Sequence, residues 1–185
     1  MSDTSALIEI PSTEKEYKII FDAVTWADAV AGAEAEGGKL AQFETETEAS
    51  DFWTELSGSA EFTASLSQIP AATHQAGGAR YLWLGASDSV EEGTWKWNED
   101  LGEGTYVDTY SYSTHSTTAN VRWGSGDKGD EPDNYGDGQD HLALGLEAWP
   151  TSKPAGEGMG LAGQWNDVNG ELNELFYLVE MEPSE

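Results

Sequence analysis

Gly129-Asp130-Glu131-Pro132-Asp133-Asn134-Tyr135-Gly136-Asp137-Gly138-Gln139-Asp140 is the stretch whose reading decides the fold, and Trp165-Asn166-Asp167 answers it about 25 residues later. Both runs are dense in oxygen-bearing side chains, spaced by small or turn-forming residues. Calcium takes about six to eight oxygens at roughly 2.3–2.6 Å, in geometries that loops can supply. Six of the residues from Asp127 to Asp140 are acidic, and Lys128 is the one basic residue among them. Packed without a counter-charge, such acids repel and push one another's pKa upward. Acidic runs in general are more often solvated loop faces. Here the proline, the glycines and the second Asn-Asp pair favour a cation site.

The charge balance points the same way. There are 35 acidic residues against 8 Lys and Arg, a formal net charge of −27. That argues against nucleic acid or an anionic membrane as partner, because phosphate binding needs clustered Lys and Arg. It fits divalent cations, or a salty medium that screens self-repulsion. With 185 residues the chain is long enough for one domain with a proper core, and eight Trp, seven Tyr and five Phe supply aromatic bulk. The absence of cysteine rules out disulfides, thiolate zinc sites and cysteine nucleophiles. Met1-Ser2-Asp3 opens onto polar sequence without the apolar segment of a signal peptide. No run of about 18 apolar residues reads as a membrane span. Neither observation makes the protein cytoplasmic.

Taken in order, residues 1–14 are polar and read as linker. Tyr17-Lys18-Ile19-Ile20-Phe21 reads as a short strand. Thr25-Trp26-Ala27-Asp28 has capping-box form and opens an alanine-rich helix, with Trp26, Val30 and Ala33 on one face, that Gly37-Gly38 stops. Thr45-Glu46-Thr47-Glu48 is a second capping box; Ala49, Phe52, Trp53 and Leu56 then form an amphipathic core-facing stripe. Residues 58–80 read as a loop or insertion. Tyr81-Leu82-Trp83-Leu84-Gly85 is the strongest buried-strand signal, and Thr94-Trp95-Lys96-Trp97 alternates as a strand should. Residues 98–122 form a long Ser/Thr/Tyr-rich excursion of the kind that tends to carry function. His141–Leu146, Gly163–Trp165 and Leu175–Glu180 supply the last strands. Helices first and short strands afterwards imply an α+β domain with an antiparallel sheet.

The order of elements and the motifs resemble a C-type-lectin-like domain. Gly37-Gly38-Lys39-Leu40-Ala41 resembles that family's G-G-x-L-A segment, and Tyr81-Leu82-Trp83-Leu84-Gly85 its W-I-G-L strand. Glu131-Pro132-Asp133 resembles its E-P-N or Q-P-D motif, Trp165-Asn166-Asp167 its W-N-D motif, and Tyr177-Leu178-Val179-Glu180 its closing strand. The resemblance covers about residues 15–182, with insertions near 58–80 and 98–122, and gives a ligand-binding domain over 15–183. It implies two helices and antiparallel sheets with a long calcium-binding loop region. By the same resemblance, Glu131, Asp133, Gln139, Asn166 and Asp167 would hold a principal calcium. Asp88 and Glu92, with Asn134 and Asp140 as partners, would hold an auxiliary one.

Two departures from the family pattern matter. The places of its usual disulfides correspond here to Ala33, Val179, His141 and Gly170, so apolar packing, and calcium itself, must replace the staples. Cysteine-free versions suit bacterial surface proteins, and so acidic a module resembles the distal ligand-binding regions of large RTX adhesins. The second departure lies in the motif pair. Glu131 and Asp133 are both acids, whereas Gln139 and Asn166 are both amides. A hydroxyl between two carboxylates has one proton to give, and two amide donors favour an acceptor such as a carboxylate. A peptide, including one that coordinates the ion through its terminal carboxylate, fits that asymmetry at least as well as a sugar diol.

The reading that follows is a calcium-dependent recognition module of a bacterial surface adhesin, a monomeric part of a larger chain outside the cell. It binds a peptide or a glycan on a host or neighbouring cell. Glu131, Asp133, Gln139 and Asn166 would meet the ligand. Tyr106, Tyr110, Tyr112 and Trp149 would form the rim, and Lys128, Arg122 or Lys153 would pair with a ligand carboxylate. The competing readings are a sugar-diol lectin and a domain that calcium merely rigidifies. Catalysis has little support, since His74, His115 and His141 lie in no metal-binding spacing and no nucleophile elbow or phosphate loop appears.

Overall fold

Alternating apolar runs, two capped helices and glycine-rich turns fold into one large sheet with helices packed against it. The computed structural model describes residues 5–10, 15–43, 45–97, 106–111, 116–117, 122–136 and 138–181, the strands at 5–10, 106–111 and 116–117 by backbone alone. In chain order the first elements are β1 (Ser5–Ile10), β2 (Lys15–Val24), α1 (Trp26–Ala35), β3 (Gly38–Leu40), α2 (Glu46–Gly58) and α3 (Ala60–Ser65). Then come β4 (Tyr81–Ser87), β5 (Thr94–Trp97), β6 (Tyr106–Ser111), β7 (Ser116–Thr117), β8 (Ser125–Gly126) and β9 (Gly129–Asp130). β10 (His141–Gly145), β11 (Trp165–Val168) and β12 (Leu175–Met181) close the chain.

The main sheet runs β1-β2-β12-β4-β5-β6-β7, with β3 added on β12, β10 on β4 and β11 on β10. β4 is buried at every residue, and successive side chains point to opposite faces. Leu82, Leu84 and Ala86 enter one core with Phe52, Leu56 and Trp165. Tyr81 and Trp83 enter the other with Trp26, Ala33 and Trp149. A strand buried on both faces explains why Tyr81-Leu82-Trp83-Leu84 is continuously apolar. Phe52 and Leu56 are 1% and 0% exposed, and burying each such side chain stabilises the fold by about 1.5–3 kcal/mol.

Both helix starts are where the caps put them. The Thr25 hydroxyl oxygen accepts from the Asp28 N–H, and that of Thr45 from the Glu48 N–H at 3.1 Å. The buried face of α1 is Trp26, Ala29 and Ala33 rather than Trp26, Val30 and Ala33. Trp26 Nε1 donates to Leu84 O at 2.9 Å and so ties α1 to β4. Glu48 turns inward, where its Oε1 accepts from Tyr17 Oη at 2.9 Å and lies 2.7 Å from Lys15 Nζ.

Several boundaries differ from the sequence reading. Residues 1–14 are not simply linker: Ser5–Ile10 is an edge strand paired antiparallel with β2, from Ser5 opposite Ile20 to Ile10 opposite Lys15. β2 carries open backbone groups along that edge, and the β-formers Leu7, Ile8 and Ile10 supply the missing partner. The 58–80 segment holds α3 and a 3-10 turn at Leu66–Gln68, and β6 and β7 lie within 98–122. The α+β class stands, but one sheet pair, β12 with β4, is parallel. No helix among the described residues is long and apolar enough to cross a membrane.

The positions that stand in for the family's disulfides are packed. Ala33 and Val179 share one core, each 0% exposed. His141 stacks against Trp26 with ring centroids 4.5 Å apart, and a Cβ at Gly170 would meet His141 Nδ1 at 2.5 Å. That nitrogen is buried with no partner among the described residues, and His141 packs there through its ring. Burial lowers its pKa to about 4.

Candidate metal centre

The acidic loop and β11 meet as the two motifs require. Glu131, Asp133 and Asp167 bring one carboxylate oxygen each to within 4.8 Å of one another. Among the described residues they are the one such group of three or more acids or histidines. Glu131 is 4% and Asp167 0% exposed, while Asp133 is partly buried. Asp167 is clamped by the loop it faces: its Oδ1 accepts from the Asp133 N–H at 3.2 Å and its Oδ2 from the Asn134 N–H at 2.7 Å. Asp133 Oδ1 accepts from the Tyr135 N–H at 3.0 Å.

Glu131 is set by Trp149, whose Nε1 donates to Glu131 Oε1 at 2.7 Å. Three glycines leave the indole room: a Cβ at Gly124, Gly145 or Gly160 would run into its ring atoms. Trp149 is 2% exposed, so it is not the exposed rim residue the sequence suggests but a wall and brace of the cavity. Lys153 sits in the exposed turn after Pro150 and is not among the residues that line the cavity. The Tyr106 and Tyr110 side chains and all of Tyr112 lie outside the described residues.

The cavity is about 390 Å³, and its lining includes Gln75, Glu131, Asp133, Tyr135, Gln139 and Asn166. Three oxygens there are buried without a partner in the chain: Glu131 Oε2, Gln139 Oε1 and Asn166 Oδ1. Unpaired buried acceptors are costly and rare, yet three occur on residues lining one cavity. The amide orientations are fixed chemically. Gln139 Nε2 donates to Gln75 O at 2.8 Å and to Asp167 O at 2.9 Å. Carbonyl oxygens only accept, so nitrogen must face them and Oε1 must face away. Asn166 Nδ2 donates to Tyr81 Oη at 3.1 Å. The amides are therefore not the ligand-facing donors expected from their residue types; they present oxygen.

The electrostatics agree. Glu131 is pushed well above the usual carboxylate range by burial, then by the charges of Asp167 and Asp133. Burial is the main cause that raises Asp167 to about 7, and it also raises Asp133. Among the described residues, no Lys, Arg or His forms an ion pair with any of the three. Three acids and two amide oxygens without a cationic side chain make a hard-oxygen donor set that fits Ca²⁺. An ion there would hold the carboxylates ionised and engage the orphaned oxygens.

The residues of the auxiliary set are less convergent. Asp88 is buried and Glu92 exposed, with Asp140 and Asn134 partly buried. Burial raises Asp88 to about 8, with Glu92, Asp140 and Asp167 adding like charge. Its Oδ2 accepts from the Gly93 N–H at 2.9 Å. Asn134, at φ +44°, uses its Oδ1 to accept from the Gly138 and Gln139 N–H groups at 2.8 and 3.1 Å. As placed, that oxygen braces the turn and has no lone pair left for an ion.

Gln75, Tyr81 and Asn173 are functional neighbours that the sequence does not single out. Gln75 lies in what reads as featureless insertion, and Tyr81 in what reads as plain core strand. Only the Gly77-Gly78 turn signal hinted that residues 69–80 double back.

No protein-family model and no curated protein matches the chain. Solved structures do. The carbohydrate-recognition domain of the mouse scavenger receptor C-type lectin is 19% identical, with 94% of this chain and 92% of that one covered and a TM-score of 0.53. The cow CD23 C-type carbohydrate-recognition domain, solved in the presence of a GlcNAc2Man3 oligosaccharide, is 16% identical over 94% and 92%, at 0.55. Human lithostathine is 17% identical over 91% and 92%, at 0.51. The chain has the C-type-lectin-like fold.

Proposed function

We propose that this domain is a calcium-dependent recognition module that binds its ligand through an ion held by Glu131, Asp133, Gln139, Asn166 and Asp167. One observation carries the reading: three buried, unpartnered oxygens line the same cavity as an uncompensated acid cluster. Part of the cavity wall, at Gln75 and Tyr135, is exposed, and Tyr135 is 64% exposed, which leaves a way in for a guest. The module is a binding domain, not an enzyme. The absence of cysteine and the net charge of −27 support a place on a bacterial surface adhesin, outside the cell.

The preferred ligand is a peptide. With the amide nitrogens engaged inside the protein, the wall offers oxygen acceptors plus the ion. A peptide end supplies both complements at once, carboxylate oxygens for the ion and N–H donors for Glu131 or Asp133. The second reading is a sugar diol, favoured by the carbohydrate-recognition domains among its structural neighbours. Calorimetric titration of calcium in chelator-stripped buffer tests the ion; a flat trace would end the proposal. Calcium-dependent retention on C-terminal-peptide and glycan arrays separates the two ligand classes. Retention on neither, with calcium bound, would leave an ion that only rigidifies the loops.

A further inference from the structure

The segment Thr73–Ala76 is an insertion by sequence, yet both amide side chains of the cavity are oriented through it. Gln75 O accepts one N–H of Gln139 at 2.8 Å. Ala76 O accepts from Tyr81 Oη at 2.9 Å, and Tyr81 Oη in turn accepts from Asn166 Nδ2 at 3.1 Å. One carbonyl therefore acts directly and the next through a hydroxyl. Because the Tyr81 proton points at Ala76 O, its lone pairs face Asn166, and the amide must show it nitrogen.

The segment itself is held by Asn173, which is 0% exposed. Asn173 Oδ1 accepts from the Thr73 and His74 N–H groups at 3.0 and 2.9 Å. Its Nδ2 donates to His74 O at 2.9 Å and to Asn169 O at 3.0 Å. Three of these bonds tie the segment to the turn that follows β11, the strand carrying Asn166 and Asp167, and the fourth braces that turn internally. Within the segment, Gln75 directly after His74 takes φ +49°, a left-handed conformation that non-glycine residues seldom adopt.

The geometry points to Asn173 and Tyr81 as positioning residues for the cation. By fixing Thr73–Ala76 they turn Gln139 and Asn166 oxygen-first into the cavity, with both N–H groups of Gln139 and one of Asn166 engaged inside the protein. This rests on the cation reading above. Outer-shell partners that orient ligands typically change metal affinity by about 10- to 100-fold when removed, and that is the effect expected here. It gives the insertion a function: without it, Asn166 could rotate and offer nitrogen, which repels a cation, and Gln139 would be held by Asp167 O alone.

Calcium titration calorimetry of the full chain tests it with Asn173→Ala, Tyr81→Phe, Gln139→Ala and the Asn173→Ala/Gln139→Ala pair, beside melting curves in chelator. The calcium Kd is expected to rise about 10- to 100-fold in Asn173→Ala and in Tyr81→Phe. The pair is expected to lose less than the sum of the two single losses, because part of the effect of Asn173 runs through Gln139 and the rest through Tyr81 and Asn166. An unchanged Kd in the single variants, with only a lower melting temperature, overturns the inference and leaves the cation site standing. Should Asn173→Ala fail to fold, Tyr81→Phe decides alone, since it keeps the ring and removes one hydroxyl. No calcium uptake by the unsubstituted chain would instead remove the proposed function itself.

Discussion

Two groups of buried acids in this domain have opposite fates. Where β2, α2 and β12 meet, Glu48 and Glu180 are 5% and 9% exposed and share Lys15, whose Nζ lies 2.7 and 3.4 Å from their oxygens. Tyr17 Oη donates to Glu48, and the Gln42 N–H donates to Glu180 at 3.1 Å. Burial pulls the Lys15 pKa down, but the hydrogen bond to Glu48 and the charges of Glu180 and Glu48 outweigh it, leaving it above its usual value. Where the acidic loop meets β11, Glu131, Asp133 and Asp167 have no such lysine among the described residues, and burial pushes all three upward. A buried acid paired with a cation from its own chain is architecture. Buried acids without one are, under the proposed function, where a cation from outside would sit.

The largest effect that sharpens this contrast is Asp167→Ala. Calorimetry should register complete loss of calcium uptake, and calcium should no longer raise the melting temperature. Lys15→Met should do the reverse. Denaturant unfolding should lose on the order of 3 kcal/mol, since two buried carboxylates lose their counter-charge, and the stabilisation by calcium should be unchanged. If Lys15→Met instead altered calcium affinity, the two clusters would not be independent.

Next comes the stabilisation by the ion itself. At calcium about 100-fold above Kd the folded state gains about 2.7 kcal/mol, or roughly 5–10 °C in melting temperature for a domain of this size. The pH dependence is smaller. Asp167 at about 7 and Asp88 at about 8 bind protons in the folded state that the unfolded chain, titrating near 4, has released. Without a cation, their contribution to stability is full at the acid end and is lost as pH rises through those values. His141, lowered to about 4, acts oppositely below its ordinary 6.5. Stability in chelator should therefore fall as pH rises from about 4 to 8, with His141 opposing part of the fall below 6.5 and none of it above, and saturating calcium should flatten the curve. Lys153→Ala, exposed and outside the cavity, should change calcium affinity and array retention less than about twofold.

Much of this was legible in the chain. Thr25 and Thr45 cap their helices because a hydroxyl satisfies an otherwise orphaned N–H, a purely local rule. Tyr81–Gly85 announces a strand buried on both faces because hydrophobic transfer is additive along a sequence. The convergence of Glu131, Asp133 and Asp167 followed from matched motifs. Trp149 and Asn134 misled because their residue types fit two roles, rim or brace and ligand or turn lock, which only their neighbours distinguish. β1 was missed because a strand with no alternation of its own is stabilised by the edge it joins.

The sequence by itself determined the oxygen-rich donor set, the absence of cysteine and the helix-then-sheet order, since composition and short-range spacing fix these. Only the tertiary structure decided which atom each amide presents and that residues 73–76 decide it. Hydrogen bonds between Gln75 and Gln139, or Asn173 and His74, join positions 64 and 99 residues apart. No local preference encodes such pairings; they exist because packing brings those carbonyls and amides into one dry space where each must find a partner.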